Sequence, residues 1–345
     1  MIRVGILGAT GYAGAELVRL LSTHPEVSIS LLTSRQYAGK AFDAVFPALT
    51  GEVSLDCQAY DADRVIAETD VVFVALPHQI PMGIVPELLK GGKKVIDLSA
   101  DFRFRDASLY AAFYQPHTAP ELCEIAVYGL SEVYTDAVAT ADLIGNPGCY
   151  TTSVLLPTLP LLTEGLIDAD GIIADSKSGV SGAGRGLSLA GLFCEANESF
   201  RAYKLIHHRH RPEMEHILET AAGQSVVMTF TPHLVPQNRG ILSTVYASLK
   251  PGVTASRVRD CLEAWYGDKP FIRIRPDHLP PDTAHVRGTN YCDMGFAVDD
   301  RTGRLILMSA IDNLVKGAAG QAIQNMNIRM GFPETLGLTV PPMPV

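Results

Sequence analysis

Residues Ile2–Gly14 have the sequence I-R-V-G-I-L-G-A-T-G-Y-A-G and indicate how the first half of the chain folds. Ile2–Leu7 is a short apolar run, and the loop after it contains three glycines at the spacing G-x-x-G-x-x-G. Apolar residues with helical spacing follow and end before Pro25. Strand, glycine loop and helix form the context of a dinucleotide-binding turn, because glycines let the backbone approach a pyrophosphate at the helix N-terminus. A tight turn alone would explain one of these glycines but not three.

Apolar runs alternate with helical segments further along the chain. Val27–Thr33, Val71–Leu76 and Lys94–Leu98 have the length and composition of buried strands. This alternation predicts an α/β fold whose first domain is a Rossmann-type, doubly wound parallel sheet. Ligands bind at the carboxyl ends of such strands, which is where the sequence places three candidate site residues, Pro77, Ser99 and Arg103.

Ser34 and Arg35 follow the second predicted strand, where an NAD-binding protein usually carries an acidic residue for the ribose hydroxyls. A hydroxyl and a guanidinium suit a 2′-phosphate instead, so we expect NADP as the cofactor. The alternative for Arg35 is a solvated loop arginine. Arg103 is likewise either a phosphate or carboxylate clamp or the partner of Asp101 or Asp106 in a surface ion pair, and spacing does not distinguish these.

The segment Ile144–Thr152, I-G-N-P-G-C-Y-T-T, delivers a cysteine to the start of a predicted helix over Tyr150–Leu162. Turn-forming residues precede Cys149, and unpaired N–H groups at a helix N-terminus favour a thiolate. A buried, unreactive cysteine is the alternative. Pro157 and Pro160 predict that the helix is kinked or ends early.

The second half is predicted to be an α+β substrate and dimerisation domain. Long strands dominate it, and the turn over Asp299–Gly303 suggests a mainly antiparallel sheet. We place the NADP-binding domain at 1–148 and the catalytic domain at 149–311, with a C-terminal helix over 312–345 that returns to the first domain and brings Asn313 near the cofactor.

Two further segments of the second half carry polar chemistry. The glycine-rich turn Gly179–Gly186 contains Arg185 and is a candidate anion-binding loop. His207–Glu213, H-H-R-H-R-P-E, precedes a helix and suits a general acid/base with cationic anchors, or else a basic solvated turn. No matching cysteine or aspartate set accompanies the histidines, so we expect no metal.

Composition excludes several classes of protein. A net charge of −9 over 345 residues leaves no basic surplus for a nucleic acid. The six cysteines are scattered, which is typical of reduced thiols in a cytoplasmic protein. The apolar runs are too short to span a bilayer, and a strand beginning at Ile2 leaves no room for a signal peptide. We therefore expect a cytoplasmic protein with a small-molecule substrate and no nucleic-acid or membrane partner.

Taken together, these motifs resemble the N-acetyl-γ-glutamyl-phosphate reductases, the arginine-pathway family of the semialdehyde dehydrogenase superfamily. The resemblance spans the chain and rests on Gly8–Gly14, Gly145–Tyr150, Ser181–Arg185, His208–Glu213 and Ile311–Gly317. It implies NADPH-dependent reduction of N-acetyl-L-glutamyl 5-phosphate, an acyl phosphate, to the 5-semialdehyde with release of phosphate. It also implies a homodimer or homotetramer built through the sheet of the second domain.

The resemblance implies that Cys149 is the nucleophile, which forms a thioester, and that His208 is the acid/base. Because imidazole ordinarily titrates near neutral pH, we expect His208 to protonate the developing oxygen. The expected substrate-binding residues are Arg103, Asn146, Ser181, Arg185, His210 and Glu213. The expected cofactor-binding residues are Gly8, Thr10, Gly11, Tyr12, Ala13, Gly14, Ser34, Arg35, Pro77, Ser99, Gly182 and Asn313. One departure from the family pattern is Thr151, which stands where a proline commonly follows the Cys-x pair.

Three alternatives remain at this point. Aspartate-semialdehyde dehydrogenases share the fold and the two-step cysteine chemistry, although the His208–Glu213 and Ile311–Gly317 segments favour the acetylglutamyl enzymes. A relative acting on the one-carbon-longer aminoadipate chain would carry similar motifs. A catalytically silent NADP-binding sensor is the third, and the presence of both Cys149 and His208 counts against it.

Overall fold

A computed structural model describes residues 1–276 and 279–342 of the chain. Its tertiary contacts separate two compact units, one made of Met1–Gly148 with Ala318–Thr339 and one built on Cys149–Gly317. The chain leaves the first unit at Gly148, so the candidate nucleophile is the first residue of the second. Within the described ranges, no helix is long and apolar enough to cross a membrane.

The first unit contains a seven-stranded sheet in which every pairing is parallel. Its strands are β1 Ile2–Leu7, β2 Val27–Thr33, β3 Cys57–Gln58, β4 Val71–Val74, β5 Lys94–Asp97, β6 Val127–Tyr128 and β7 Leu143–Gly145. Their order in space is β3-β2-β1-β4-β5-β7-β6. The order reverses between β1 and β4, and ligands of doubly wound sheets bind outside the strand ends at such a point. The predicted Rossmann-type sheet is confirmed.

Helices connect these strands and bury their apolar faces against the sheet. They are α1 Tyr12–Leu21, α2 Phe42–Val45, α3 Ala62–Glu68, α4 Pro81–Lys90, α5 Ala107–Phe113, α6 Pro120–Ile125 and α7 Thr135–Thr140. Strand β4 is buried throughout and β1 is buried over residues 4–7, as expected for parallel strands covered on both faces.

The second unit contains another seven-stranded sheet, in the order β12-β13-β14-β11-β8-β10-β9. Its strands are β8 Asp170–Gly179, β9 Arg201–Ala202, β10 Val227–Val235, β11 Ile241–Ser248, β12 Ile272–Ile274, β13 Cys292–Asp299 and β14 Arg304–Ile311. The pairs β8/β10 and β12/β13 are parallel, and the other pairs are antiparallel. The predicted mainly antiparallel α+β domain is therefore confirmed. Its helices are α8 Cys149–Thr163, α9 Phe193–Ala196, α10 His210–Ala222 and α11 Ala255–Tyr266.

Helix α8 is longer than its prolines suggest. It runs without interruption through Pro157 and Pro160 to Thr163, and nearly all of its side chains are buried. The expectation of an early end is wrong, because neighbouring elements supply hydrogen bonds in place of those that the prolines remove.

Two side chains replace the hydrogen bonds that the prolines remove. A proline at position i leaves the carbonyl of residue i−4 without its helical donor, which here affects Ser153 and Leu156. The Ser309 hydroxyl of β14 donates to the Ser153 carbonyl, and the Tyr266 hydroxyl of α11 donates to the Leu156 carbonyl at 2.8 Å. The helix is thus completed by residues more than 100 positions away in the chain.

The C-terminal helix is shorter than the predicted 312–345. A π-helical turn covers Val315–Ala319, and α12 follows it over Gly320–Arg329. The Asp312 carboxylate accepts hydrogen bonds from the backbone N–H groups of residues 314 and 315, which holds the preceding residues in a turn. The helix ends because Gly331 takes a φ of +73° and Pro333 follows it. The predicted residues 343–345 lie outside the described residues.

Candidate active site

In the glycine loop after β1, two positions have no room for a side chain, whereas the third has room for a Cβ. Gly8 has a φ of +82°, and a Cβ there would lie 2.4 Å from the Ala75 carbonyl oxygen. A Cβ on Gly14 would lie 2.3 Å from the Gly8 carbonyl oxygen. A Cβ on Gly11 would meet nothing closer than 3.6 Å. The protein itself therefore does not require glycine at position 11, and close approach of a ligand to the backbone explains it.

The other loop residues open the helix that follows. Tyr12 and Ala13 are the first two residues of α1, and no side chain caps that helix. Backbone N–H groups of a first helical turn without a cap suit an anion such as a pyrophosphate. The loop thus fits the cofactor that its sequence predicts.

Residues at the end of β2 form a small polar site beside this loop. The hydroxyls of Thr10 and Ser34 lie 2.7 Å apart, and the Ser34 oxygen also accepts a hydrogen bond from the Tyr37 backbone. Arg35 is exposed, and no hydrogen bond or ion pair ties it to another described residue. An accessible guanidinium next to paired hydroxyls suits a 2′-phosphate.

The loop after β5 is organised around buried carboxylates. Ser99 donates to Asp97 at 2.6 Å and accepts from the backbone N–H of Asp101 at 3.0 Å. Burial, reinforced by the charge of Asp101, raises the pKa of Asp97 to about 7. The Ser99 hydroxyl therefore shapes this loop, while Pro77 lies exposed at the end of β4.

Arg103 and Asn146 meet within the first unit. Arg103 Nε donates to the Asn146 carbonyl at 2.7 Å, and its Nη2 donates to the Leu98 carbonyl at 2.8 Å. The Asn146 carboxamide donates to the Ala318 carbonyl and accepts from Asn325 Nδ2 at 3.1 Å. These contacts hold the turn that precedes Cys149, so Asn146 has a clear structural role besides the predicted substrate role.

Cys149 is the first residue of α8 and is partly exposed, unlike a core cysteine. A Cβ on Gly317 would lie 2.8 Å from Cys149 Cβ, so the Gly317 backbone packs directly against the thiol-bearing residue. Cys57, Cys123 and Cys261 are buried, and burial raises the pKa of each thiol. Among described cysteines, Cys149 therefore has the environment that a nucleophile at a helix start requires.

A packing role fits only the buried members of the other five cysteines. Cys292 is also buried, but Cys194 is exposed.

Aromatic rings surround His208 in the second unit. Its ring centroid lies 5.5 Å from that of Tyr150, 5.6 Å from Tyr203 and 5.3 Å from Phe230. The His210 ring is 4.8 Å away, so two of the predicted histidines come together. Of these neighbours, the sequence singled out only His210.

The protonation state of His208 follows from its contacts. The backbone N–H of His210 donates to Nδ1 at 3.1 Å, so the neutral ring carries its hydrogen on Nε2, which faces the Tyr203 hydroxyl at 3.5 Å. Burial, with the charges of Lys204 and Arg209, lowers the pKa of His208 to about 4. This lowered pKa departs from the expectation that the imidazole titrates near neutral pH.

Two tyrosine hydroxyls continue the series of hydrogen bonds that begins at His208. The Tyr203 hydroxyl donates to the Tyr150 hydroxyl at 3.1 Å, and Tyr150 donates to the His233 carbonyl at 3.1 Å. Burial raises the pKa of both tyrosines, so both stay protonated. Sequence reasoning missed Tyr203, Phe230 and His233, and the only signal was that Tyr150 adjoins Cys149 and Tyr203 precedes the histidines.

The glycine-rich turn after β8 is hydrogen-bonded to Asn313, two residues beyond the end of β14. Ser181 Oγ accepts from Asn313 Nδ2 at 2.9 Å, and Asn313 Oδ1 accepts from the Gly240 backbone at 2.8 Å. A Cβ on Gly182 would lie 3.7 Å from Asn313 Nδ2, so Ser181, Gly182 and Asn313 are neighbours. Arg185 lies half-buried just beyond them.

The predicted residues of the histidine segment lie at the start of α10. His210 is the first residue of the helix, and Glu213 is fully buried in its first turn. A carboxylate in the first turn is stabilised by the helix dipole.

Comparison with known proteins identifies both units. The family model described as "Semialdehyde dehydrogenase, NAD binding domain" matches residues 3–141. The one described as "Semialdehyde dehydrogenase, dimerisation domain" matches residues 149–313.

Similar proteins match over nearly the whole chain. An N-acetyl-gamma-glutamyl-phosphate reductase of Desulforapulum autotrophicum is 53% identical over 99% of both chains. One of Geobacter metallireducens is 52% identical over 98% of both.

Solved structures with low sequence identity share the fold. Aspartate semialdehyde dehydrogenase II of Vibrio cholerae superposes with a TM-score of 0.74 at 18% identity, over 96% of this chain and 98% of that one. The Candida albicans aspartate semialdehyde dehydrogenase with NADP gives 0.70 at 19% identity, over 95% and 98%.

Proposed function

We propose that this chain, which belongs to the N-acetyl-γ-glutamyl-phosphate reductase family of the semialdehyde dehydrogenases, reduces N-acetyl-L-glutamyl 5-phosphate to N-acetyl-L-glutamate 5-semialdehyde and phosphate with NADPH, in arginine biosynthesis. The observation that carries the proposal is a partly exposed cysteine at the first position of α8, in a chain that is 53% identical over 99% of its length to a reductase of that name. Each step below is assigned to residues of this chain.

Cys149 begins the reaction. Its thiolate attacks the acyl carbon of the substrate, the carbon–oxygen bond to phosphate breaks, and a thioester remains on the sulfur. We assign backbone N–H groups of the first turn of α8 to the oxyanion, because such groups have no acceptor within their own helix. The packing of Gly317 against Cys149 restricts where the sulfur can move.

His208 serves as a neutral hydrogen-bond donor. NADPH, when bound, would supply the hydride for the thioester carbon, and the oxygen that becomes negative there would need a hydrogen-bond donor before the thiolate leaves. The Nε2–H of His208 can donate to this oxygen without a prior protonation, since its Nδ1 is held by the His210 backbone. Imidazole acts in this neutral form in other enzymes whose histidine pKa is lowered.

The remaining residues recognise charge. We assign Arg103, Arg185 and His210 to the phosphate and the carboxylate of the substrate, with Asn146, Ser181 and Glu213 arranging them. For NADPH we assign Gly8–Gly14 to the pyrophosphate and Ser34 with Arg35 to the 2′-phosphate. Pro77, Ser99, Gly182 and Asn313 complete the cofactor set.

We also propose a homo-oligomer built through the sheet of the second unit. Helix α8 packs against one face of β11 and β14, where Ser153 and Ser243 hydroxyls lie 2.7 Å apart. On the other face, Ile173, Tyr246 and Ile306 lie side by side in register across three strands. Ile173 is 38% exposed. An apolar stripe of this kind is typical of a subunit interface.

A substrate comparison tests the reaction. The purified chain, assayed in the reverse direction with NADP⁺ and phosphate, should oxidise N-acetylglutamate semialdehyde and leave aspartate semialdehyde nearly untouched. The aminoadipate semialdehyde derivative with one more carbon should react more slowly. Activity on aspartate semialdehyde alone would contradict the proposal, and tight NADPH binding with no activity on any of the three would favour a sensor.

A further inference from the structure

Helix α12 carries four fully buried amide side chains, Gln321, Gln324, Asn325 and Asn327. Burying an amide costs free energy unless its hydrogen-bonding groups find partners. Each of these amides donates hydrogen bonds to groups of the first unit.

Asn325 contacts the turn before Cys149. Its Nδ2 donates to Asn146 Oδ1 at 3.1 Å and to the Gly129 carbonyl at 2.8 Å, while its Oδ1 accepts from the Ser131 hydroxyl at 2.7 Å. A Cβ on Gly129 would lie 2.5 Å from Asn325 Nδ2, so glycine at that position permits the approach.

Gln321 hydrogen-bonds to Gly129 and Ser131, as Asn325 does, but no hydrogen bond joins it to the turn before Cys149 among the described contacts. Its Nε2 donates to the Gly129 carbonyl at 3.0 Å and to the Ser131 hydroxyl at 2.6 Å. Removal of the Asn325 carboxamide would therefore leave Gly129 and Ser131 with hydrogen bonds and take the donor away from Asn146.

We infer that Asn325 is a positioning residue that acts through Asn146. Asn146 is held by Arg103 at its carbonyl, by Ala318 at its Nδ2 and by Asn325 at its Oδ1. The chain then passes through Pro147 and Gly148 to the nucleophile. A small shift of Asn146 displaces the Cys149 sulfur, and misplacement by about 1 Å can cost on the order of a hundredfold in rate. The inference rests on the proposed role of Cys149.

Asn327 provides a matched control on the same helix. It is equally buried, but its Nδ2 donates to the carbonyls of Glu334 and Leu336, and its Oδ1 lies 3.0 Å from His24 Nε2. Its loss should destabilise the first unit without disturbing Asn146.

The test compares Asn325→Ala with Asn327→Ala. We expect Asn325→Ala to lower kcat about tenfold or more with KM for NADPH unchanged, and Asn327→Ala to lower the melting temperature with kcat within about twofold of wild type. Asn325→Ser, which keeps a small hydroxyl, serves the same comparison if the alanine variant does not fold. Equal kcat values in variants of both positions would overturn the inference.

Two further measurements separate positioning from stability. Iodoacetamide labelling followed by mass spectrometry should show a changed rate and pH profile at Cys149 in the Asn325 variant, with the exposed Cys194 as internal reference. The double variant Asn325→Ala with Asn146→Ala should be no slower than the worse single variant, because both act through one contact. Additive losses, or an unchanged labelling profile, would overturn the inference. Labelling needs no substrate, so it remains valid if the proposed reaction fails.

Discussion

The starts of α1 and α8 are built alike, and we assign different chemistry to them. Each follows a parallel strand through a glycine-containing turn, and Gly11 and Gly148 are the residues directly before the two helices. The first turn of α1 presents backbone N–H groups, whereas α8 begins with Cys149. The electrostatics of a helix N-terminus favours a bound anion in one case and a thiolate in the other. In the proposed assignment, the side chain in the first turn, rather than the turn itself, therefore separates cofactor binding from covalent catalysis.

Removing the thiol should have the largest effect and tests the role assigned to the start of α8. Cys149→Ala should lower the rate on the order of 10⁴-fold or more, as expected for loss of a covalent nucleophile, with NADPH binding intact. Steady-state assays and fluorescence titration of NADPH check both. Cys194→Ala, at an exposed cysteine, should keep the wild-type rate. A Cys149→Ala protein with substantial activity would remove the distinction between the two helix starts.

His208→Asn should lower kcat roughly a hundredfold, the lower end of the range for losing one hydrogen-bond donor to a developing oxyanion. Its exposed neighbour gives the control variant His207→Asn, which should retain activity. The pH dependence is more informative than the rate. A group changes the rate mainly within about one pH unit of its pKa. Since the pKa of His208 is lowered from 6.5 to about 4, titration of His208 should not change the rate between pH 6 and pH 7.

Stability gives a second readout of His208. Between pH 6.5 and about 4 the unfolded chain binds a proton that the folded protein does not, so stability falls as pH falls through this window. Urea unfolding at the two ends of the window should show a smaller loss in His208→Asn than in wild type. An equal loss in both proteins would refute the lowered pKa.

Arg35→Ala tests the cofactor-binding role assigned to the start of α1 and the residues beside it. It should weaken NADPH binding about ten- to hundredfold, the scale of a charge-assisted contact to phosphate, and leave NADH binding nearly unchanged. Titration with both cofactors measures this directly. Equal effects on both would mean that Arg35 does not contact the 2′-phosphate.

A pair of glycine variants separates ligand approach from packing. Gly11→Ala has room for its Cβ and should melt like wild type, yet bind NADPH about tenfold more weakly. Gly14→Ala places its Cβ against backbone and should destabilise the protein. Thermal melts with cofactor titrations distinguish the two. Unchanged NADPH affinity in Gly11→Ala would place the pyrophosphate elsewhere.

Thr151→Pro should have the smallest effect. Thr151 is fully buried, and its hydroxyl has no hydrogen-bond partner among the described residues. It is the third residue of α8, where the N–H has no partner within the helix and proline is tolerated. We expect stability to rise by about 1 kcal/mol, the cost of an unsatisfied buried hydroxyl, with activity unchanged. A lower melting temperature would show that the departure from the family pattern is compensated nearby.

Features with local causes were predictable from the sequence. The glycine spacing after β1, the alternating strands and the cysteine at a helix start all depend on residues within a few positions of one another. Features with distant causes were not. The uninterrupted α8 depends on Ser309 and Tyr266, and the turn at Asn146 depends on Asn325.

The environment of His208 shows the same limit. Its pKa depends on burial among rings from three separate segments, of which only the adjacent histidines were visible as a pattern. Residue type suggested a group that titrates near neutral pH, and tertiary burial reversed that expectation.

The side-chain hydrogen bonds to the Ser153 and Leu156 carbonyls of α8 have a consequence for how the protein folds. Without Ser309 and Tyr266, this helix lacks two of its hydrogen bonds and, on its own, is a poor helix former. We therefore expect α8 to form late, once β14 and α11 have docked, rather than to nucleate the second unit. A nascent or partly folded chain would then carry Cys149 in a disordered segment, where its thiol has the reactivity of an ordinary cysteine.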